Sequence, residues 1–403
     1  MSLGSIAVVG ASLAGLRAVE MLRSDGFDGR LTLVGAEPHL PYDRPPLSKQ
    51  VLRGDWQPDR IALRRGDWDD LALDLRLGRR ATALDLGARK LELDDGSTLD
   101  WDGLLIATGA SPRWLPGTRG LAGVHVLRTL DDALALRADL EGTPGRVAVV
   151  GAGFIGAEVA ATCRERGLEV SLVEPLSRPM ERGLDPEIGA LMAQVHRDHG
   201  VDLRLGTGVE SLEGTSRVES LKLSDGTTLA ADVVVIGIGV APETGWLETS
   251  GLALGDGVIC DQTCATAVPG VVAAGDVARW THPVFGQSLR VEHWTNAVEQ
   301  GVAAAKRLLA GASSGEPFAS VPLFWSDQYD CRLQYAGIGG FDGERRVVHG
   351  SLEERRFVCL YEKDGRLHGA LALNQARRMI AYRRMIGERA SFTDALAHAE
   401  SSG

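Results

Sequence analysis

The chain has few cysteines and no pair placed to work together. The five, Cys163, Cys260, Cys264, Cys331 and Cys359, form no CxxC, and none occurs in the first 160 residues. A dithiol–disulfide cycle needs two adjacent thiols, so that chemistry is excluded. Cys260 and Cys264 lack the second cluster that a zinc site requires, so no metal site is expected and the thiols are read as structural, in a reducing compartment. No run of 18 or more apolar residues occurs and the N-terminus lacks a signal-peptide layout, so a soluble, cytoplasmic protein with no membrane attachment is expected. The formal net charge of −11 leaves no general basic excess, which argues against nucleic acid as a partner. No coiled-coil pattern stands out, so the sequence does not indicate an oligomeric state.

Glycine, in contrast, is plentiful: 50 residues in 403, above the usual ~7%. At this length two or three domains are expected. Much of the glycine information sits in two loops. Val8-Val9-Gly10-Ala11-Ser12-Leu13-Ala14-Gly15 is matched 141 residues later by Val149-Val150-Gly151-Ala152-Gly153-Phe154-Ile155-Gly156. Each follows a short apolar run and opens a helical pattern. The first glycine permits a tight turn, the middle small residue lets backbone approach a pyrophosphate, and the last allows close helix–strand packing. The helix N-terminus then offers N–H groups and positive partial charge to phosphate. The first loop departs from the pattern in carrying Ser12 at its middle position.

Each loop also has an acidic partner at the end of the following strand. Glu37 lies 27 residues beyond Gly10 and Glu174 lies 23 beyond Gly151, against the usual ~20 for a carboxylate that accepts ribose hydroxyls. Two such modules imply two dinucleotides, and two dinucleotides imply electron transfer between them.

The rest of the chain repeats a plan. Leu91–Leu99 alternates around Asp95-Gly96 and Leu221–Leu229 around Asp225-Gly226, both hairpin patterns. Each leads into a buried strand ending in glycine, Leu104–Gly109 and Val233–Gly239. The predicted fold class is α/β, with two Rossmann-like nucleotide-binding domains and a C-terminal α+β domain. The expected division is 1–108 with 240–318, an inserted 109–239, and a separate 319–403. Gly275-Asp276 ends another buried strand, where open α/β sheets bind ligand. Between Arg345 and Arg389 eleven Arg and Lys stand against five Asp and Glu, a local excess of +6. It includes the doublet Arg377-Arg378 and suggests an acidic protein partner.

These motifs, with Pro-Pro-Leu-Ser-Lys at 45–49, Ala-Thr-Gly at 107–109, Leu-Arg-Thr-Leu at 127–130, Ala-Gly-Asp at 274–276 and Phe-Trp-Ser-Asp-Gln at 324–328, resemble the FAD-dependent NADH–ferredoxin reductases of bacterial oxygenase systems. The resemblance covers nearly the whole chain and implies a glutathione-reductase-like fold, in which the first loop holds FAD and the second NAD. It places Gly10, Ser12, Leu13, Ala14, Gly15 and Glu37 on FAD, with Arg44 and Lys49 along the flavin and Ala81 at adenine. Ala107, Thr108, Gly109, Gly275, Asp276, Glu292, His293, Trp294 and Trp325 complete that set. Gly151, Gly153, Phe154, Ile155, Gly156, Glu174, Arg178 and Gly239 fall to NAD, and Arg128 approaches from the NAD side. Lys49 and Glu158 are the implied catalytic pair beside flavin N5, where a cation favours the reduced flavin.

The implied reaction passes a hydride from NADH to FAD, then single electrons to an acidic [2Fe-2S] ferredoxin that supplies a cytochrome P450 or a Rieske oxygenase. A rubredoxin reductase or an NADH oxidase of the same fold is the alternative, although the peroxidase branch needs a redox cysteine near the flavin and residues 40–49 contain none. A flavin-binding redox sensor without turnover is a further rival.

Overall fold

The computed structural model describes residues 3–142, 145–311, 315–339 and 341–402. They group into two compact units. The first comprises Met1–Asp43, Ala62–Ser111 and Ala241–Phe324; the second comprises Arg44–Ile61, Pro112–Val240 and Trp325–Gly403.

The first unit is built on a parallel sheet in the order Val271–Ala273, Gly103–Ile106, Ser5–Val9, Arg30–Gly35, Leu73–Leu77. Its inner strands read as largely apolar runs, with Val8, Leu33, Leu104, Leu105 and Ile106 fully buried, whereas the edge strand Leu73–Leu77 alternates and is half-buried. Helix Leu13–Ser24 packs beside helix Trp294–Ala310, which buries a stripe of Ala297, Gly301, Ala304, Ala305 and Leu308. Gly301 has to be small: a β-carbon there would lie 2.5 Å from the Ala14 carbonyl oxygen. An antiparallel meander, Ala81–Asp85, Lys90–Leu93 and Thr98–Asp100, comes between Leu73–Leu77 and Gly103–Ile106 in the chain and turns at Gly96 with φ +80°.

The second unit repeats the sheet in the order Asp202–Leu205, Glu169–Glu174, Arg146–Val150, Val233–Ile236, Val124–His125, again all parallel. Its meander is Val209–Glu213, Ser220–Leu223 and Thr228–Ala230. The two sheets match strand for strand except at one edge. In the first unit the strand beyond Gly103–Ile106 comes later in the chain; in the second unit the strand beyond Val233–Ile236 comes before the glycine loop.

Two other pieces belong to the second unit. The C-terminal part forms a sheet ordered Leu323–Gln328, Cys331–Gly337, Arg366–Leu373, Arg356–Lys363, Arg345–Ser351, with helices Met379–Gly387 and Phe392–Ser401 packed on it. Arg44–Ile61, which the sequence reading placed with the first module, also groups here. Leu52 is fully buried in the same core as Val149, Val159 and Leu172. The Ser48 carbonyl accepts from Thr162 Oγ1 at 2.7 Å, and Arg53 reaches Glu165 at 2.5 Å. These partners are more than a hundred residues away in sequence, so no local pattern announces them.

The C-terminal sheet is fastened to the start of helix Pro186–Asp198 at Asp185, which is 4% exposed. Asp185 caps helix Pro186–Asp198, accepting from Glu187 N at 3.0 Å and Ile188 N at 3.2 Å. The Tyr361 hydroxyl donates to its other oxygen, and Arg345 lies 3.3 Å away. Asp185→Ala removes the cap and leaves a buried tyrosine hydroxyl without its acceptor, so urea unfolding is expected to show a loss of about 2–4 kcal/mol. Asp185→Asn, which still caps, should recover part of that loss.

Candidate functional site

Both glycine loops have the geometry of a phosphate cradle. Gly10 sits at φ +121° and Gly151 at φ +97°, the left-handed region that only glycine adopts cheaply. A β-carbon on Gly10 would lie 2.0 Å from the Ala107 carbonyl oxygen; one on Gly151 would lie 2.5 Å from that of Gly237. The last glycines are equally fixed, since a β-carbon on Gly15 or Gly156 would strike the carbonyl of Gly10 or Gly151 at 1.9 and 2.0 Å. Gly153 differs: a β-carbon there would meet nothing within 4 Å. The protein itself does not require glycine at 153, whereas a close ligand would. Neither following helix carries an acidic residue in its first turn, so their positive ends are not neutralised.

The loop carboxylates are held differently. Glu174, 8% exposed, accepts from Ala152 N at 2.7 Å and Leu176 N at 3.0 Å, which locks it against its glycine loop. Glu37 is half-buried and accepts from the Tyr42 hydroxyl. Buried polar atoms in folded proteins are nearly always paired. Two at expected cofactor positions make no hydrogen bond within the protein: His293 Nδ1 in the first unit and Arg178 Nε in the second. Burial lowers the His293 ring to about 4, so it stays neutral at physiological pH.

The remaining expected residues divide between the units. In the first, Ala107 N donates to Val9 O at 2.7 Å, Thr108 Oγ1 to Glu243 O at 2.8 Å, and Gly109 takes φ +72°. The buried Ala81 lies in the meander. Gly275, at φ +76°, donates to the Gln300 amide oxygen at 2.8 Å, and Asp276 is half-buried beside it. Glu292 is exposed, and Trp294 is half-buried and donates to Asp43 at 2.7 Å. In the second unit, Arg44 donates to the Arg128 carbonyl at 2.5 Å, Ile155 is 47% exposed, Gly239 has φ +95°, and Trp325 is half-buried. Neither tryptophan is a fully buried core residue.

Lys49 and Glu158 meet as an ion pair of 2.6 Å, the glutamate only 4% exposed. Ser48 donates to the same carboxylate oxygen at 2.5 Å and Ser326 to the other at 2.8 Å. Ser48 and Ser326 were not singled out from the sequence, nor were Gln328 and His196 behind them. Ser48, Ser326 and Gln328 do fall within the Pro-Pro-Leu-Ser-Lys and Phe-Trp-Ser-Asp-Gln motifs, and Ser326 and Gln328, two apart on a strand, share a buried face.

Residues 4–301 match the family described as pyridine nucleotide-disulphide oxidoreductase, and residues 323–402 match the reductase C-terminal family. The chain belongs to the pyridine nucleotide-disulphide oxidoreductases. It is 38% identical to rhodocoxin reductase of Rhodococcus erythropolis over 385 residues, 95% of this chain and 89% of that protein. It is also 38% identical to the ferredoxin–NAD(+) reductase component of the anthranilate 1,2-dioxygenase system of Burkholderia cepacia, across 96% of this chain and 95% of that one. The reductase in the crystal structure of the covalent putidaredoxin reductase–putidaredoxin complex superposes with a TM-score of 0.92 at 31% identity, covering 100% and 99% of the two chains. The resemblance drawn from the motifs is thus borne out, as is the α/β fold class. The chain is an oxidoreductase.

The described cysteines offer no exposed pair for the disulfide chemistry in the family's name. All five cysteines are buried and free. Burial pushes their thiols up, to about 12 for Cys163, Cys260 and Cys359, far from the range of a reactive thiolate.

The contrast between Gly153 and Gly156 is testable. Gly156→Ala should cost several kcal/mol, on the order of 3, because its β-carbon meets fixed backbone. Gly153→Ala should stay within about 1 kcal/mol of the parent in urea unfolding yet bind NADH at least several-fold more weakly by fluorescence titration.

Proposed function

We propose that the protein carries electrons from NADH through FAD to a [2Fe-2S] ferredoxin serving a cytochrome P450 or Rieske oxygenase. The observation that carries this reading is the pair of phosphate cradles in one chain, each with its own carboxylate, in a chain whose relatives are ferredoxin reductases along nearly their full length. FAD, when bound, accepts a hydride from NADH and releases the electrons one at a time to an iron–sulfur centre, an exchange that the two partners cannot make directly.

In this reading residues 1–108 and 240–318 form the FAD domain, apart from 44–61, which pack into the second unit's core; 109–239 form the NAD domain and 319–403 the C-terminal interface domain. Gly10, Ser12, Leu13, Ala14 and Gly15 cradle the FAD pyrophosphate and Glu37 takes its ribose. Ala81, Ala107–Gly109, Gly275, Asp276 and Glu292–Trp294 line the same cofactor. The second loop, Gly151–Gly156, holds the NAD pyrophosphate with Glu174 at the ribose and Arg178 and Gly239 nearby. Lys49 supplies positive charge, and Glu158 holds its ammonium in place. Arg44, Arg128 and Trp325 complete the set. Five free cysteines favour the reducing cytoplasm, and no described helix is long and apolar enough to cross a membrane.

The purified protein should be yellow, and the flavin should bleach on anaerobic addition of NADH. A colourless protein that takes up no FAD would reject this function. NADH should exceed NADPH in kcat/KM by at least tenfold. Glu174, already engaged by two backbone amides, would meet a 2′-phosphate with like charge. Equal values would reject that role.

The basic stretch narrows as a docking surface. Arg345 is paired with Asp185 and Glu187, Arg355 with Asp198, and Arg378 donates to the Ser402 carbonyl at 2.6 Å. Arg378 therefore serves the fold, and a charge reversal there would not isolate docking. Arg377 and Arg384 are exposed. The double variant Arg377→Glu, Arg384→Glu should slow ferredoxin-dependent cytochrome c reduction several-fold at low salt, and less at high salt. NADH–ferricyanide activity should stay nearly unchanged. A parallel fall in both activities would remove these arginines from the docking surface.

A further inference from the structure

Behind the Lys49–Glu158 pair a line of polar side chains continues through three buried residues to the half-buried Tyr329. Ser326 donates to Glu158 Oε1 at 2.8 Å, and Gln328 Nε2 lies 3.0 Å from Ser326 Oγ. The Gln328 amide oxygen lies 3.0 Å from His196 Nε2, and His196 Nδ1 lies 3.2 Å from the Tyr329 hydroxyl. Tyr329 in turn stacks on His199, with ring centroids 3.7 Å apart. Ser326 and His196 are fully buried and Gln328 is 1% exposed.

Donor and acceptor rules allow this line one polarity. A carboxylate bonded to an ammonium only accepts, so Ser326 must spend its proton on Glu158 and accept from the Gln328 amide N–H. That turns the Gln328 carbonyl oxygen toward His196, whose Nε2 must then carry the ring proton. His196 Nδ1 is left as an acceptor, and the Tyr329 hydroxyl fills it. Burial lowers the His196 ring to about 4, which keeps it neutral and able to donate at one nitrogen while accepting at the other. Every bond points toward Glu158.

We propose that Ser326, Gln328 and His196 are positioning residues for Lys49: their one-directional hydrogen-bond chain fixes the plane of the Glu158 carboxylate, and so the place of the Lys49 ammonium. The consequence for hydride transfer rests on the reading of Lys49 as a neighbour of the flavin. The chain's polarity does not.

Both parts can be measured on the full-length protein. Side-chain ¹⁵N spectra of histidine-labelled protein at neutral pH, with His196 assigned by its loss in His196→Gln, should show the Nε2–H tautomer alone. Gln328→Leu should release that preference. The opposite tautomer, or a mixture in the parent protein, would overturn the chain. In Ser326→Ala, flavin reduction by NADH in a stopped-flow experiment should slow about tenfold, the scale of one buried hydrogen bond left unmade. The flavin midpoint potential should move in the same direction as in Glu158→Gln. Ser326→Thr keeps the hydroxyl and should restore both. A purely structural role for Ser326 would lower thermal stability and leave the potential where it was, and that result would also overturn the proposal. The tautomer is read with or without bound FAD, so a protein that takes up no flavin defeats the functional reading separately from this one.

Discussion

The second unit depends on keeping one carboxylate, that of Glu158, charged inside a protein core. Removing a carboxylate from water costs several kcal/mol unless an opposite charge and further hydrogen bonds replace the solvent. The chain brings those replacements from distant places: Lys49 and Ser48 from more than a hundred residues upstream, and Ser326 from 168 residues downstream. Breaking the arrangement would strand a buried charge. Residues 44–61 and the start of the C-terminal sheet are therefore committed to the helix Phe154–Glu165. The acid also sits beyond the first turn of that helix, which leaves the positive end free for a phosphate while a negative charge is held one turn deeper.

Each unit applies one steric rule. A glycine turn brings its own backbone within contact of a neighbouring strand's carbonyl, and a second glycine lets the following helix sit on the first. The rule does not extend to the middle position, where Ser12 and Gly153 differ between the units. Nothing in the second unit's own packing needs a glycine at 153. The first two constraints arise from the fold; the middle position of the second loop carries none of that kind, so it alone is free to differ between the units.

This distinction explains what could be read from the sequence. The glycine loops, the Asp-Gly hairpins and the two strand-end carboxylates are local patterns, and the strands, turns and loop positions lie where those patterns indicate. The membership of residues 44–61, the partners of Glu158 and the fate of the arginines are long-range facts. Arg345, Arg355 and Arg378 look like surface charge in one dimension. In three dimensions the first two neutralise Asp185, Glu187 and Asp198, and the third ties down the C-terminus. Ser326 and Gln328 left a faint trace as polar residues on the buried face of a strand, a pattern that also fits an edge strand facing water.

The mismatched edge of the two parallel sheets sets an order of completion during synthesis. The second sheet takes its edge strand, Val124–His125, from before its glycine loop and possesses all five strands once Ile236 has been made. The first sheet begins with Ser5 but lacks its edge strand until Ala273 emerges, and lacks helix Trp294–Ala310 for a further stretch. The module that starts the chain is thus the later of the two sheets to be finished. Until then the face of helix Leu13–Ser24 that meets Gly301 has no partner. In chain order the last strand of the second sheet therefore ends 37 residues before the last strand of the first.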